Sequence, residues 1–283
     1  MNKITGLFFL LVVFFLSGCA TVIGSLNPRL LADSMAKNSG FSKQFVDTSY
    51  FKLTAYSRLT APGGPLVVYI EGDGRAWLSK NRLSEDPTPH HPLVLTLASE
   101  DDSDNVVYLA RPCQYETLET DPHCGPAYWS DKRFSEEVVA SMNEAVDQLK
   151  RQADATAIHL IGYSGGGAVA VLVAARRNDV ASLRTIAGNL DHEAVNRANG
   201  VSLLRGSLNA LDYAQKVASI PQEHLVGGKD KIVPPLIAKK FAKKANNPAC
   251  IKITEVPNAT HESGWIEVWP QYLHRTPACE DNT

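Results

Sequence analysis

Short apolar runs alternate with segments of helical period along most of the chain. Leu66–Ile70 is continuously apolar, the pattern of a strand covered on both faces. Val106–Ala110, Ala157–Ile161, Leu183–Ala187, His224–Val226 and Ile251–Val256 read as further short strands. Between them lie helical segments. Pro92–Ser99 and Ala168–Arg177 are two, and Phe134–Arg151 sets Val138, Val139, Met142, Ala145, Val146 and Leu149 along one stripe. Upstream, Gln44–Val46 and Tyr50–Ser57 predict an antiparallel hairpin, and Ala61–Pro65 a turn. Strand–helix alternation predicts an α/β fold: a mostly parallel central sheet with helices on both faces. The long stretch Asn189–Pro221 has no strand pattern and is expected to form a helical or loop cap. Residues 41–283 read as a single domain.

The first residues have a different pattern. Lys3 precedes an apolar run from Ile4 to Leu16, and small residues follow at Ser17-Gly18. This is the layout of a secretory signal peptide over residues 1–18, too short to span a bilayer as a helix. Leu16-Ser17-Gly18-Cys19 resembles the bacterial lipobox, which implies lipidation of Cys19 and export to the cell envelope. Ala20 after the cysteine implies outer-membrane routing, with the membrane as a partner held through acyl chains. Residues 19–40 show no strong periodicity and are expected to form a lipidated tether.

Composition adds little: 44% hydrophobic and 20% charged residues suit a globular domain. A net charge of -2 provides no field to recruit nucleic acid. With Cys19 consumed by lipid, Cys113, Cys124, Cys250 and Cys279 remain, an even number in an exported chain, which suggests disulfides. Three connectivities are possible. Cys113–Cys124 would close a short loop, and Cys250–Cys279 would tie the C-terminal tail to the last strand. No ligand spacing supports a metal, and no cofactor is required.

The chemistry concentrates at Gly162-Tyr163-Ser164-Gly165-Gly166, between a predicted strand and a predicted helix. That is G-x-S-x-G in strand–turn–helix context. A serine hydroxyl needs a base, and the base an orienting acid. Asp230 and His261 follow the strands His224–Val226 and Ile251–Val256, in the order Ser, acid, His. On these residues the chain resembles the α/β-hydrolase superfamily over nearly its whole length after residue 40. The resemblance implies Ser164 as nucleophile, His261 as base and Asp230 as acid. Asp191 is the rival for the acid and His192 for the base. His159, inside a strand, reads as a hydrogen-bonded core residue.

The resemblance also implies an oxyanion hole from two backbone N–H groups, those of Gly165 and of Asp73 in the loop Glu71-Gly72-Asp73-Gly74-Arg75. Many relatives carry His-Gly where this chain carries Glu71-Gly72, which leaves Gly74 as an alternative donor. Arg75 and Arg111 follow consecutive strands and could meet an anionic substrate group, or pair with Glu71, Asp73 or Glu116. Tyr128 and Trp129 are expected to shape the pocket. The implied activity is hydrolysis of a small-molecule or lipid ester. Two other classes compete: a non-catalytic envelope binding protein on this scaffold, and a dinucleotide-binding oxidoreductase through the loose Gly165-x-Gly167-x-x-Ala170. The latter leaves Ser164, Asp230 and His261 without a role. Neither substrate identity nor oligomeric state is legible in the sequence.

Overall fold

The computed structural model describes residues 27–116 and 120–280. The chain enters through helix α1 (Pro28–Asn38), then strands β1 (Ser42–Asp47), β2 (Lys52–Leu59) and β3 (Leu66–Ile70). A small hairpin, β4 (Trp77–Ser79) and β5 (Arg82–Leu83), precedes α2 (Leu93–Glu100) and β6 (Asn105–Leu109). Next come α3 (Glu136–Gln152), β7 (Ile158–Tyr163), α4 (Gly165–Ala174), β8 (Val180–Ile186) and α5 (His192–Asn199). The chain ends through β9 (Gln222–Gly227), α6 (Leu236–Ala245), β10 (Ile251–Val256) and α7 (Pro270–Leu273).

Eight strands form one sheet in the order β1-β2-β6-β3-β7-β8-β9-β10. β1 pairs antiparallel with β2, β2 antiparallel with β6, and the remaining neighbours are parallel. Strand alternation divides the core. Leu66, Val68 and Ile70 of β3 face α3, α4 and α6, while Val67 and Tyr69 face α1, α2 and the C-terminal segment with Trp265, Trp269 and Tyr272. Covered on both faces, β3 and β6 are buried at every position, which is why both read as unbroken apolar runs. α4 is apolar all round because all ten of its residues are buried. α3 buries the stripe expected of it. Glu136 and Glu137 stand in its first turn and Lys150 and Arg151 in its last, each placed to offset the helix dipole.

The structure departs from the expected tether at residues 28–38. These form α1, packed on the sheet through Ala32 and Ala36. Asn27 caps the helix, Arg29 binds Asp86 at 2.7 Å, and the Tyr56 hydroxyl donates to Asp33 at 2.6 Å. The helix was hidden because the residues it buries fully are two alanines, with Met35 packed half-buried beside them. The expected signal peptide and Cys19 lie outside the described residues. The cap region contains α5 and a single 3-10 turn at Ala210–Tyr213. Disulfides join Cys113 to Cys124 and Cys250 to Cys279. Among the described residues, no helix is long and apolar enough to cross a membrane.

Candidate active site

β7 delivers Ser164 through a turn so tight that the serine takes φ 50°, a left-handed conformation that a non-glycine residue adopts only when its surroundings impose it. Its neighbours explain how the turn is held. A Cβ at Gly162 would lie 2.3 Å from the Gly166 carbonyl oxygen, and one at Gly166 would lie 2.3 Å from that of Ile70. Backbone therefore packs on backbone on both sides of the serine. α4 starts at Gly165, so its N-terminal partial positive charge is directed at the turn.

Ser164 Oγ lies 3.0 Å from His261 Nε2, and His261 Nδ1 lies 2.9 Å from Asp230 Oδ2. Asp230 follows the carboxyl end of β9. Its other oxygen accepts the backbone N–H groups of Ile232 and Val233, each at 2.8 Å, which fixes the carboxylate plane. The His261 side chain is 11% exposed and that of Asp230 fully buried, so the pair works at low dielectric. The structure brings together the three side chains that the sequence singled out. The rival acid lies elsewhere: Asp191 caps α5 by accepting from Ala194 N–H, accepts from Asn209, and pairs with Lys240. His192 is buried with neither ring nitrogen hydrogen-bonded among the described residues, stacked on Phe134 at 5.8 Å. His159 is half-buried, its Nδ1 2.8 Å from Ser182 Oγ.

Asp73 sits against Gly165: a Cβ there would come within 2.0 Å of Asp73 Oδ1. Neither the Asp73 nor the Gly165 backbone N–H donates to another atom among the described residues, which leaves both for a ligand. The Asp73 carboxylate is held by two guanidiniums, Arg111 Nη1 at 3.4 Å and Arg133 Nε at 3.0 Å. Burial pushes Arg111 down to about 10, with Asp73 opposing the shift. Arg111 also donates to the Arg133 carbonyl. Arg75, by contrast, is exposed, with Nη1 3.0 Å from His90 Nε2. Trp129 is buried, donates Nε1–H to the Ser84 carbonyl at 2.9 Å, and borders a small cavity together with Asp73, Arg111 and Arg133.

One residue of this region carried no sequence signal. Arg133 lies in the irregular segment before α3, where no periodicity places a side chain. Glu71, which the sequence offered as a partner for Arg75 or Arg111, is buried, accepting from Gly72 N–H at 2.8 Å and the Tyr108 hydroxyl at 2.9 Å. Burial raises its carboxyl to about 7, partly opposed by those two donors and by Arg111.

No protein-family model matches the chain, and no curated protein matches it in sequence. Solved structures are similar in fold. An esterase of Pyrococcus furiosus superimposes with a TM-score of 0.60 at 14% identity, covering 84% of this chain and 90% of its own. Est1E of Butyrivibrio proteoclasticus gives 0.56 at 18% identity, with 82% and 95% covered. The acylaminoacyl peptidase of Pyrococcus horikoshii gives 0.59 at 10% identity, covering 86% of this chain and 43% of that one. The eight-stranded sheet with its helices on both faces, shared with these structures, has the α/β-hydrolase fold.

Proposed function

We propose that the protein is a serine hydrolase that cleaves carboxylic esters through an acyl-enzyme. The observation that carries this is the continuous relay Ser164 Oγ–His261–Asp230 at 3.0 and 2.9 Å on a strained turn at the head of a buried helix. Ser164 attacks the carbonyl carbon while His261 Nε2 takes its proton, and Asp230 stabilises the imidazolium through Nδ1. The N–H groups of Gly165 and Asp73 receive the charge that develops on the carbonyl oxygen. His261 then gives the proton to the leaving alcohol. Water, deprotonated by the same nitrogen, attacks the acyl carbon, and that proton returns to Ser164 Oγ as its bond to the acid breaks. Thioesters and amides are open to the same groups, and the solved structures of similar fold include both esterases and peptidases.

The test is covalent labelling. A fluorophosphonate probe should modify the folded protein at Ser164, located by peptide mass spectrometry, and should not modify Ser164→Ala. A folded protein with an accessible site that stays unlabelled would favour the binding-protein reading instead.

The same proposal places the enzyme at the bacterial envelope through a lipid on Cys19, on the strength of Leu16-Ser17-Gly18-Cys19 behind an apolar run. Metabolic labelling with an alkyne fatty acid should mark the wild type and not Cys19→Ala. An unlabelled wild type in a lipoprotein-producing host would overturn the anchor.

A further inference from the structure

Two guanidiniums and one carboxylate meet beside Ser164. Arg111 and Arg133 both reach Asp73, so the set carries one positive charge in excess. Glu71, the other acid acting on Arg111, compensates only in part near neutrality, because burial keeps its carboxyl substantially protonated there. The Arg111 side chain is 5% exposed and that of Arg133 12%, so water screens the excess weakly. Arg133 donates Nη1 to the Ser130 carbonyl at 3.2 Å. Its buried Nε stands 3.0 Å from Asp73 Oδ2 as an ion pair without a hydrogen bond, and its Nη2 has no hydrogen-bond partner among the described residues. Both guanidiniums lie over the Phe134 ring, at 5.3 and 5.2 Å from its centroid, and His192 stacks on that same ring. A pocket shaped for a long apolar chain would have little reason to keep two guanidiniums and an unpartnered imidazole out of water, since each costs free energy until it is paired.

We infer that Arg133, backed by Arg111, is a specificity residue that selects esters carrying a carboxylate near the scissile carbonyl. This rests on the reading of Ser164 as the nucleophile. Asp73 is the resident counter-ion, and the substrate carboxylate takes over part of its place on Arg133 while the Asp73 N–H remains with the oxyanion. The excess is a single charge, which matches a carboxylate better than a phosphate dianion. The planar Nη2 edge suits a two-oxygen acceptor.

The experiment compares kcat/KM for matched charged and neutral esters. On the acyl side these are p-nitrophenyl hydrogen adipate and p-nitrophenyl methyl adipate. On the alcohol side they are 3-carboxy-4-nitrophenyl butyrate and 4-nitrophenyl butyrate. In one pair the mature protein should prefer the charged ester at least about tenfold, mainly through KM, as expected of one charge-assisted contact. Arg133→Gln should lose that ratio, Arg133→Lys keep part of it, and Asp73→Asn raise it. A ratio below twofold in both pairs, or one unchanged in Arg133→Gln, overturns the inference. Equilibrium binding of adipate to wild type and Arg133→Gln needs no turnover. Affinity should fall about tenfold in the variant, and equal affinities overturn the inference even where Ser164 escapes the fluorophosphonate. Should Arg133→Gln fail to fold, Arg133→Lys and Asp73→Asn decide by moving the ratio in opposite directions or by failing to.

Discussion

The Tyr163 hydroxyl donates to the backbone carbonyl of His261 at 3.0 Å, so the residue preceding Ser164 holds the loop that carries its partner. The Tyr163 and His261 rings lie 5.5 Å apart, and Trp265 Nε1–H donates to the same carbonyl at 3.0 Å. His261 sits after β10 in a segment without regular structure, where no strand or helix ladder fixes its backbone. Two donors on one carbonyl provide what the ladder does not.

Removing one of them should loosen the imidazole without orphaning the carbonyl. A neutral hydrogen bond contributes about 0.5–1.5 kcal/mol. Tyr163→Phe is therefore expected to lower kcat by roughly twofold to tenfold, since about 1.4 kcal/mol is a factor of ten. Steady-state kinetics on a p-nitrophenyl ester read this directly. A loss as deep as that of Ser164→Ala would show that the hydroxyl touches the reaction itself, and no loss would show that Trp265 suffices.

Asp230 and Asp191 should separate cleanly. Asp230→Asn leaves the size of the side chain but removes the charge facing Nδ1, and kcat should fall by about 10⁴ with the fold intact. Asp191 is bound to Ala194, Asn209 and a half-exposed Lys240. Asp191→Ala should cost about 1 kcal/mol of stability, the value of a helix cap, and change kcat by less than about threefold. Kinetics and thermal unfolding of both variants check this, and the reverse pattern would return Asp191 to the role of acid.

The strands, the order of Ser164, Asp230 and His261, and the turn around the serine were legible because each depends on local sequence. Burial on both faces writes an apolar run, and a turn that packs backbone on backbone demands Gly162 and Gly166. Three features were not legible, for physical reasons. α1 covers the sheet through Ala32 and Ala36, with Met35 half-buried beside them, too small an apolar stripe to register a period. The β4–β5 hairpin is three residues against two, shorter than any pattern that alternation can reveal. Arg133 meets Asp73 across a sequence distance that only the folded loops close, and nothing about an arginine before a helix announces a carboxylate partner. Of the two arginines that the sequence favoured, Arg111 reaches the loop beside Ser164 and Arg75 lies against His90.

The bond between Cys250 and Cys279 closes a sequence separation of 29 and ties down the tail behind Trp265, Trp269 and Tyr272. Loop-closure entropy for that length corresponds to about 3–4 kcal/mol. The Cys250→Ser, Cys279→Ser double variant should unfold at a lower temperature by roughly 2–4 °C per kcal/mol, as for chains of similar size. Its kcat at low temperature should stay within about twofold, because the Ser164–His261–Asp230 relay is elsewhere. Thermal scans and kinetics with and without reductant test both halves. An unshifted midpoint would mean that the unfolded chain gains nothing from release of the loop.

Glu71 makes stability depend on pH in a stated direction. Its carboxyl is raised from 4.5 to about 7 in the folded protein, chiefly by burial. Between those values the folded state keeps a proton that the unfolded chain has released, so Glu71 favours folding at low pH. That contribution declines as pH rises through the window and is lost above about 7. Glu71→Gln preserves an acceptor for Gly72 N–H and a partner for Tyr108 while never ionising. The variant should match the wild type near pH 5 and exceed it near pH 8, by up to roughly 3 kcal/mol at 1.36 kcal/mol per unit. Denaturant unfolding of both proteins at the two pH values gives the difference, in which every other titrating group common to the two cancels. A gap of equal size at both pH values would show that Glu71 does not titrate in this window, and that its proton is not what couples this loop to pH.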